Sequence, residues 1–286
     1  MLSTLIKLKQ IFNRFNKLSF VNIININKII NNNVKIFLMI FFLMMIPSFS
    51  SRDTKLNTLI LSSHIIITIT GTGEQRILAD EAETPNRIYV NDLNDNPLSG
   101  GKTVSDLTSE TNIIKLEWDS LLSTCNRMFY GLTNIIEINF SNFDSSQVTD
   151  MSDMFHGCQS LNSIDFSNMN TESLTDIQYM FFECYNLVSL DLRSFDTSKV
   201  TSMFQLFYDC RNLESLDLSS FNTALVTSMF QTFYNCFKLT SLDLRNFDTS
   251  SVNTMFEMFY ECRALETLDI SSFDTSSVEN MCNMFK

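Results

Sequence analysis

The chain has 286 residues, of which 44% are hydrophobic, and it carries 20 basic against 32 acidic residues. Seven of the basic residues and none of the acidic ones lie in 1–52, which leaves 13 basic and 32 acidic residues, a net charge of −19, in 53–286. This acidic balance argues against binding to a nucleic-acid backbone, which needs Lys and Arg to replace counterions, and it favours basic or cationic partners.

Residues 1–52 have the plan of a secretory signal peptide with a long basic n-region. Basic residues come first, an unbroken apolar run of 11 residues follows at 36–46, and the exit is polar. That order is typical of secretion signals. The run is shorter than the roughly 17 to 25 residues that span a bilayer, so we expect no membrane span in the mature chain. The apolar stripe within 5–15 is typical of a mitochondrial presequence, which is the alternative.

Residues 53–127 are predicted to form a small β-rich N-terminal cap. Residues 59–70 and 87–90 are rich in β-branched and aromatic side chains, which favours strands. The turn-prone segment Gly71-Thr72-Gly73 separates them. Residues 114–119 have the pattern of a repeat that is two residues short, so the cap is predicted to end in a degenerate repeat.

Residues 128–286 repeat one pattern every 26 residues, and a column of cysteines marks it most clearly. These are Cys158, Cys184, Cys210, Cys236 and Cys262. A fixed period of this length indicates stacked repeats, each stabilised by its neighbours. The chain stops inside a sixth unit, so the repeats are truncated at the C-terminus; we expect a fragment of a longer protein rather than a frayed last turn.

Each repeat has two halves with different hydrophobic periods. Leu190-Asp191-Leu192 alternates apolar and polar residues, which predicts a strand with one buried face. From Val200 onward, apolar residues follow at spacings of three, six, seven and ten, which predicts a short helix with one apolar stripe. The predicted fold class is therefore an α/β repeat solenoid, with a parallel sheet on one face and short helices on the other.

A column of Asp or Asn lies between the two halves. Its members are Asp144, Asn170, Asp196, Asn222, Asp248 and Asp274. Such side chains accept hydrogen bonds from the first turn of a helix, so they are predicted to be N-caps. Cation ligands are the alternative.

Two columns of Phe and the column of Cys are predicted to line the core. The Phe columns are Phe155, Phe181, Phe207, Phe233 and Phe259, and Phe195, Phe221, Phe247 and Phe273. A Phe-lined ligand cavity is the alternative. The cysteines are odd in number, and the equivalent position of the first repeat is Leu132, which favours buried free thiols. Disulfides between adjacent repeats remain open if the Cα atoms approach within about 7 Å.

The sequence pattern of the repeat is Leu-Asp-Leu-Ser-Ser-Phe-Asn/Asp-Thr followed by Val-x-x-Met-x-x-Met/Leu-Phe-Tyr-x-Cys. This pattern resembles the BspA-like leucine-rich repeat surface proteins, including mycoplasma lipoprotein-type repeats. The resemblance covers about 128–286. It implies a secreted or cell-surface protein that acts in adhesion or recognition, and it implies no enzyme activity.

Residues that carry chemistry are scarce. His64 and His156 are the only histidines, so a nucleophilic site has almost no candidate members. The cysteines of the column are 26 residues apart, whereas zinc ligands are typically two to four apart. The sequence therefore predicts no catalytic residue, no metal site and no cofactor.

The Asp of the Leu-Asp-Leu triplet is the most suggestive candidate for contact with a partner. This column holds Asp165, Asp191, Asp217, Asp243 and Asp269, with Arg193 and Arg245 beside it. One carboxylate per strand gives a row at about 4.8 Å spacing, where mutual repulsion should raise the pKa values or recruit cations. The row is predicted to contact a basic protein segment or divalent cations. A solvated acidic face, partly neutralised by the two arginines, is the alternative.

These observations predict a secreted or cell-surface recognition or adhesion module that binds a protein or glycan partner through its sheet face. In leucine-rich repeats this face is the usual recognition surface. A ligand-free extracellular structural scaffold or spacer is the alternative from another class.

Overall fold

The computed structural model describes residues 63–91 and 97–286. The signal peptide predicted for 1–52 lies outside these residues. The described residues form twelve short strands joined by turns. Within these two ranges, no helix has the length and apolar character that crossing a membrane requires.

The first six strands precede the repeats. They are β1 (Ser63–Thr70), β2 (Gly73–Arg76), β3 (Arg87–Val90), β4 (Leu98–Ser99), β5 (Thr103–Leu107) and β6 (Thr111–Trp118). Strands β2 and β5 pair with each other, whereas β4, β3, β6 and β1 lie side by side, in that order, in a larger sheet that continues into the first strands of the repeats. This part of the chain is thus rich in strands.

Strand β1 joins the first part of the chain to the repeats. It pairs antiparallel with β6 on one side and with β7 (Ile135–Asn139) on the other. Its alternating side chains Ile65, Ile67 and Ile69 are fully buried. Strand β6 therefore runs in the same direction as β7, but β1 lies between them.

The strand halves of the repeats form as predicted, although each strand has only three residues. They are β8 (Ser163–Asp165), β9 (Ser189–Asp191), β10 (Ser215–Asp217), β11 (Ser241–Asp243) and β12 (Thr267–Asp269). Strands β7 and β8, β9 and β10, and β11 and β12 pair in parallel between residues 26 apart. The middle residue faces the core, since Leu190 is 6% exposed and its two neighbours are exposed.

The short helices predicted for the second half of each repeat are wrong: none forms in the described residues. The N–H groups of Met203, Gln205, Phe207 and Asp209 instead donate to carbonyls 25 residues later, at 2.7–2.9 Å. Leu206, Tyr208 and Cys210 donate to carbonyls three residues earlier in the same repeat, and Phe204 donates to Ser202 Oγ at 3.2 Å. An α-helix would send every N–H four residues back. Half of these hydrogen bonds therefore join neighbouring repeats.

Two columns of left-handed residues mark where the backbone departs from a helix. One holds Gln205 (φ 51°) and its equivalents, and the other holds Asp209 (φ 61°) and its equivalents. The first two members of the second column are Gly131 and Gly157. A left-handed residue interrupts a right-handed helix and costs about 1–2 kcal/mol unless it is glycine. Consecutive turns that close three residues back produce the apolar spacing that resembled a helix.

The Asp/Asn column consists of turn residues, so its assignment as helix N-caps is also wrong. The Oδ1 of Asp196 accepts the backbone N–H of Ser198 at 2.9 Å, and the other five members make the same contact. The next hydrogen bond runs from Val200 N–H to Thr197 O, only three residues back, and no helix follows it. The hydrogen-bond chemistry is that of a cap, but the structure is a single turn.

Buried hydroxyls beside this column join each repeat to the next. They belong to Ser145, Thr171, Thr197, Thr223 and Thr249. Thr197 Oγ1 accepts the N–H of Asn222 at 2.8 Å and donates to its carbonyl at 3.0 Å. One hydroxyl thus satisfies both backbone groups of a residue in the next repeat.

The predicted Phe ladder forms the centre of the core. Phe155, Phe181, Phe207, Phe233 and Phe259 stack in one line, with ring centroids 5.5–5.6 Å apart. These rings are no more than 2% exposed. In the second column Phe195, Phe221 and Phe247 are buried, and Phe273 packs against the core while partly exposed. The rings contact one another along the stack, as expected of core residues.

The buried hydroxyl column yields a stability prediction. Thr197→Val keeps the shape of the side chain but leaves the backbone N–H and C=O of Asn222 without the partner that Thr197 Oγ1 supplies. We expect the free energy of unfolding in denaturant to fall by about 1–3 kcal/mol.

Thr227→Val is the matched control, because its hydroxyl is exposed and donates to Thr201 O at 3.2 Å. That change should stay within about 0.5 kcal/mol. Equal unfolding midpoints for the two variants would show that the buried hydroxyl contributes nothing to stability.

Candidate functional site

The column cysteines are free thiols packed in the core, as predicted. Four of the five are buried, and Cys262 is partly buried. The Sγ of Cys210 donates to Phe181 O at 3.1 Å, and each of the others makes the equivalent bond across repeats. Burial raises the pKa of Cys158 and of Cys262 to about 12. These thiols stay protonated and behave as small core residues.

This burial predicts the reactivity of the seven cysteines. Cys282 is exposed, whereas the other six are buried or partly buried. We expect one fast-reacting thiol per folded chain with a thiol-reactive dye, and the rest only in denaturant, because the thiolate is the nucleophile.

The variant Cys282→Ser is the control for this measurement and should lose the fast phase. A fast phase of two or more thiols in the folded wild-type chain would contradict the burial of the column.

The structure brings the Asp row together on the sheet face. Direct register partners are Asn139 with Asp165, Asp191 with Asp217, and Asp243 with Asp269. Four of these five aspartates are exposed and Asp165 is half-buried. The row therefore lies on the sheet face, which is the position that the sequence predicts.

Each carboxylate of the row is fixed by its own backbone. Asp217 Oδ1 accepts the N–H of Ser219 at 2.9 Å, and the other four aspartates accept the N–H two residues later in the same way. Asn139 makes this bond too, at 2.8 Å to Ser141 N. The turn thus requires a side-chain oxygen but no charge.

The two arginines bind the aspartates of their own repeats. Arg193 Nε donates to Asp191 Oδ1 at 2.9 Å, and Arg245 Nε donates to Asp243 Oδ1 at 2.9 Å. Arg245 Nε also lies 3.9 Å from Asp269 Oδ2. Within 63–91 and 97–286, Asp217 forms no ion pair. The unpaired carboxylate of Asp217 thus lies between the ion-paired carboxylates of Asp191 and Asp243.

The expectation of raised pKa values in this row is wrong. Hydrogen bonds from Arg193 lower the pKa of Asp191 to about 2, and those from Arg245 lower the pKa of Asp243 to about 2. Hydrogen bonds from Ser219 and Ser271 lower the pKa values of Asp217 and Asp269. Bonds to the charged form outweigh repulsion between neighbours. These four carboxylates are ionised at neutral pH.

Among the described residues, no group of three or more His, Cys, Asp or Glu side chains is arranged to hold a metal ion. This finding gives no support to the alternative in which the Asp/Asn turn column binds cations.

The sheet face is open and shallow. Two depressions lie along it, one between Asp243 and Asp269 and the other between Asp217 and Asp243, and Arg245 lines both. Small-molecule sites are usually enclosed clefts. This face can instead accept the surface of a macromolecule.

The face continues beyond the repeats, which the sequence reasoning missed. Asn139 is opposite Ile66 of β1, Ile66 is opposite Lys115 of β6, and Lys115 is opposite Tyr89 of β3. The Nζ of Lys115 lies 3.8 Å from the centre of the Tyr89 ring. The sequence signal for strands β1 and β6 was the alternation of apolar and polar residues in 63–70 and 111–118. It does not show that β1 inserts beside the first repeat.

Comparison with known proteins gives one family. Two overlapping ranges, 104–212 and 183–286, match the model of the family described as Mycoplasma protein of unknown function, DUF285. The chain belongs to this family. For this DUF285 chain, no curated protein and no solved structure gives a match. The family agrees with the mycoplasma part of the resemblance noted from the repeats.

The Asp row yields a titration prediction. In Arg193→Ser the pKa of Asp191, read from its carboxyl NMR signal, should rise from about 2, because the hydrogen bonds from the guanidinium of Arg193 are lost. Ser occupies this position in other repeats, so the fold should tolerate the change. A lowered pKa stabilises the folded chain above the ordinary value of about 4, and this contribution fades as pH falls towards 2.

Asp243 is the internal control, since its own arginine is intact and its pKa should remain about 2. An unchanged Asp191 titration in the variant would contradict the role given to Arg193.

Proposed function

We propose that this chain is a secreted or cell-surface recognition or adhesion module that binds a protein or glycan partner through its sheet face. The support comes from the row of exposed carboxylates, each held in one orientation by a backbone hydrogen bond. Preorganised polar groups bind with a smaller entropic cost than mobile ones.

A comparison within the repeats carries this proposal. Asn139 makes the same turn as the aspartates without a charge, so folding does not require Asp in the five repeats that follow. Their negative charge is therefore not required for folding. Asp191 and Asp243 share theirs with Arg193 and Arg245, and in the described part of the chain Asp217 forms no ion pair. Four of these carboxylates are exposed, and their lowered pKa values keep them ionised.

The charge of the face favours a basic partner. Residues 53–286 have a net charge of −19, which steers cationic surfaces towards them. Arg193 and Arg245 add donors along the row, and Tyr89, Lys115 and Ile66 add an aromatic and apolar end. A protein segment with basic and apolar residues, or a glycan with cationic groups, would complement this arrangement.

The resemblance to BspA-like leucine-rich repeat proteins supports secretion and the use of the sheet face. In this proposal the chain is a variant of that architecture, a solenoid whose second half consists of turns in place of helices. The acidic repeats and the basic leader in 1–52 agree with export.

A ligand-free scaffold is the second candidate, and one observation favours it. Every repeat bonds to the next through the same backbone and hydroxyl contacts. Such uniform bonding would serve a spacer equally well.

Binding of basic peptides and glycans in an array, with and without Ca²⁺, separates the two candidates. In Asp191→Asn with Asp217→Asn, binding of basic ligands should weaken at least about 10-fold and its salt dependence should fall. The turn hydrogen bonds persist, as at Asn139.

Asp248→Asn with Asp274→Asn is the matched control. It removes the same charge from the turn column, where Asn170 and Asn222 occur naturally. Unchanged binding of every ligand and of Ca²⁺ in the sheet-face variant would sink the recognition proposal and favour the scaffold.

A further inference from the structure

Each three-residue strand of the repeats carries an exposed hydroxyl beside the aspartate of the sheet face. Together these residues are called the hydroxyl row, and they are Ser163, Ser189, Ser215, Ser241 and Thr267. Neighbouring members are direct register partners, as in Ser189 with Ser215 and Ser241 with Thr267. Within 63–91 and 97–286, none of these five hydroxyls forms a hydrogen bond.

Folding does not account for the hydroxyl row. Exposed strand positions favour β-branched and aromatic side chains, yet four of the five members are Ser. The buried hydroxyl of Thr197, in contrast, bonds to both backbone groups of Asn222. Each hydroxyl of the row can donate one hydrogen bond and accept others. The row is therefore free to bond to the backbone of a bound segment.

The aspartates beside this row are open to a partner at every second strand. Arginines of their own repeats cover Asp191 and Asp243. In the described part of the chain, Asp165 and Asp217 have no ion pair, and Asp269 has only a contact at 3.9 Å. Neighbouring strands lie about 4.8 Å apart, so the open carboxylates recur at about 10 Å.

This spacing favours one conformation of a bound peptide. In a polyproline II helix every third residue returns to the same face after about 9.3 Å, and the backbone has no internal hydrogen bonds. In an extended strand, residues on one face recur at about 6.6 Å, which does not match the open carboxylates. An α-helix satisfies its own backbone and would leave the hydroxyl row unused.

The carboxylates favour Lys as the side chain that reaches them. Asp217 Oδ1 accepts the N–H of Ser219, and Asp165 Oδ1 accepts the N–H of Ser167, each at 2.9 Å. The turn thus occupies one oxygen and leaves Oδ2 for a donor from a partner. The compact ammonium of Lys suits a single oxygen, whereas the planar fork of Arg suits two. The net charge of −19 in 53–286 steers such cations to this face.

We propose that the sheet face binds a polyproline II segment of another protein that carries a Lys at every third residue. The segment lies across the strands, and its lysines bind Asp165, Asp217 and Asp269. Its backbone bonds to the hydroxyl row. This inference rests on the proposed function and adds to it the conformation of the ligand and the spacing of its charges.

Calorimetric titration of the full chain with two synthetic peptides tests the spacing. Both peptides contain three lysines among Pro and Ala in the same composition. The first has Lys at every third residue, and the second has Lys at every fourth, which turns successive lysines to different faces of the helix. The second should bind at least about 10-fold more weakly, because its charges do not reach the carboxylates together.

Equal binding of the two peptides would overturn the inference and leave a basic partner for the sheet face in place. Failure of the first peptide to bind would also overturn it, and the array of basic peptides and glycans then decides the proposed function independently.

Variants of the chain locate the contact of the first peptide. Asp217→Asn keeps the turn, as Asn139 does, and should weaken binding at least about 10-fold. Asp191→Asn with Arg193→Ser is the matched control, because it removes an ion pair without changing the net charge. This control should bind like the wild type.

The hydroxyl row has its own variant. Ser189→Ala with Ser215→Ala removes two exposed oxygens and should weaken binding of the first peptide roughly 5-fold or more, since each lost hydrogen bond contributes to binding. Circular dichroism should show the same fold, as expected for exposed substitutions. Unchanged binding in Asp217→Asn or in the alanine variant, or an equal loss in the control, would overturn the inference.

Discussion

The backbone hydrogen bonds between repeats are the constraint on which the rest of this structure depends. Buried N–H and C=O groups must find partners. With strands of only three residues and no helix in the described residues, a large share of these partners lies in the next repeat. Each unit must therefore follow the same path as its neighbour. The left-handed residues, the Asp/Asn turns and the buried threonines all serve to keep that path identical.

An identical path converts sequence columns into physical rows. The same register that stacks Phe207 on Phe233 in the core places Asp191 beside Asp217 on the sheet face. A polar residue that closes a turn becomes, through repetition, a line of charge, and a ring on a turn becomes a line of rings. Surface properties in this fold are set by a column, and a single substitution in one repeat alters only one step of it.

The period of 26 residues made much of this predictable. It gave the register of the strands, the Phe ladder, the buried thiols and the position of the aspartates. It did not distinguish a helix from consecutive turns, because both place apolar residues three and four apart. Gly131 and Gly157, in a column that otherwise holds Glu, Asp and Asn, were the signal for left-handed residues. The lowered pKa values were missed because repulsion along the row was considered without the hydrogen bonds within each turn. The pairing of β1 with β7 is not part of the repeated pattern, so the period could not predict it.

The bonding between repeats has a mechanical consequence. Beyond β7, every strand that the structure describes in the repeats has three residues. A repeat that loses its neighbour therefore retains little structure of its own. Tension along the stack would then detach units one after another. Each detached unit lengthens the chain and lowers the load on the units that remain. A tether made of such repeats yields gradually under force and re-forms from the last intact repeat, which serves as the template for the next.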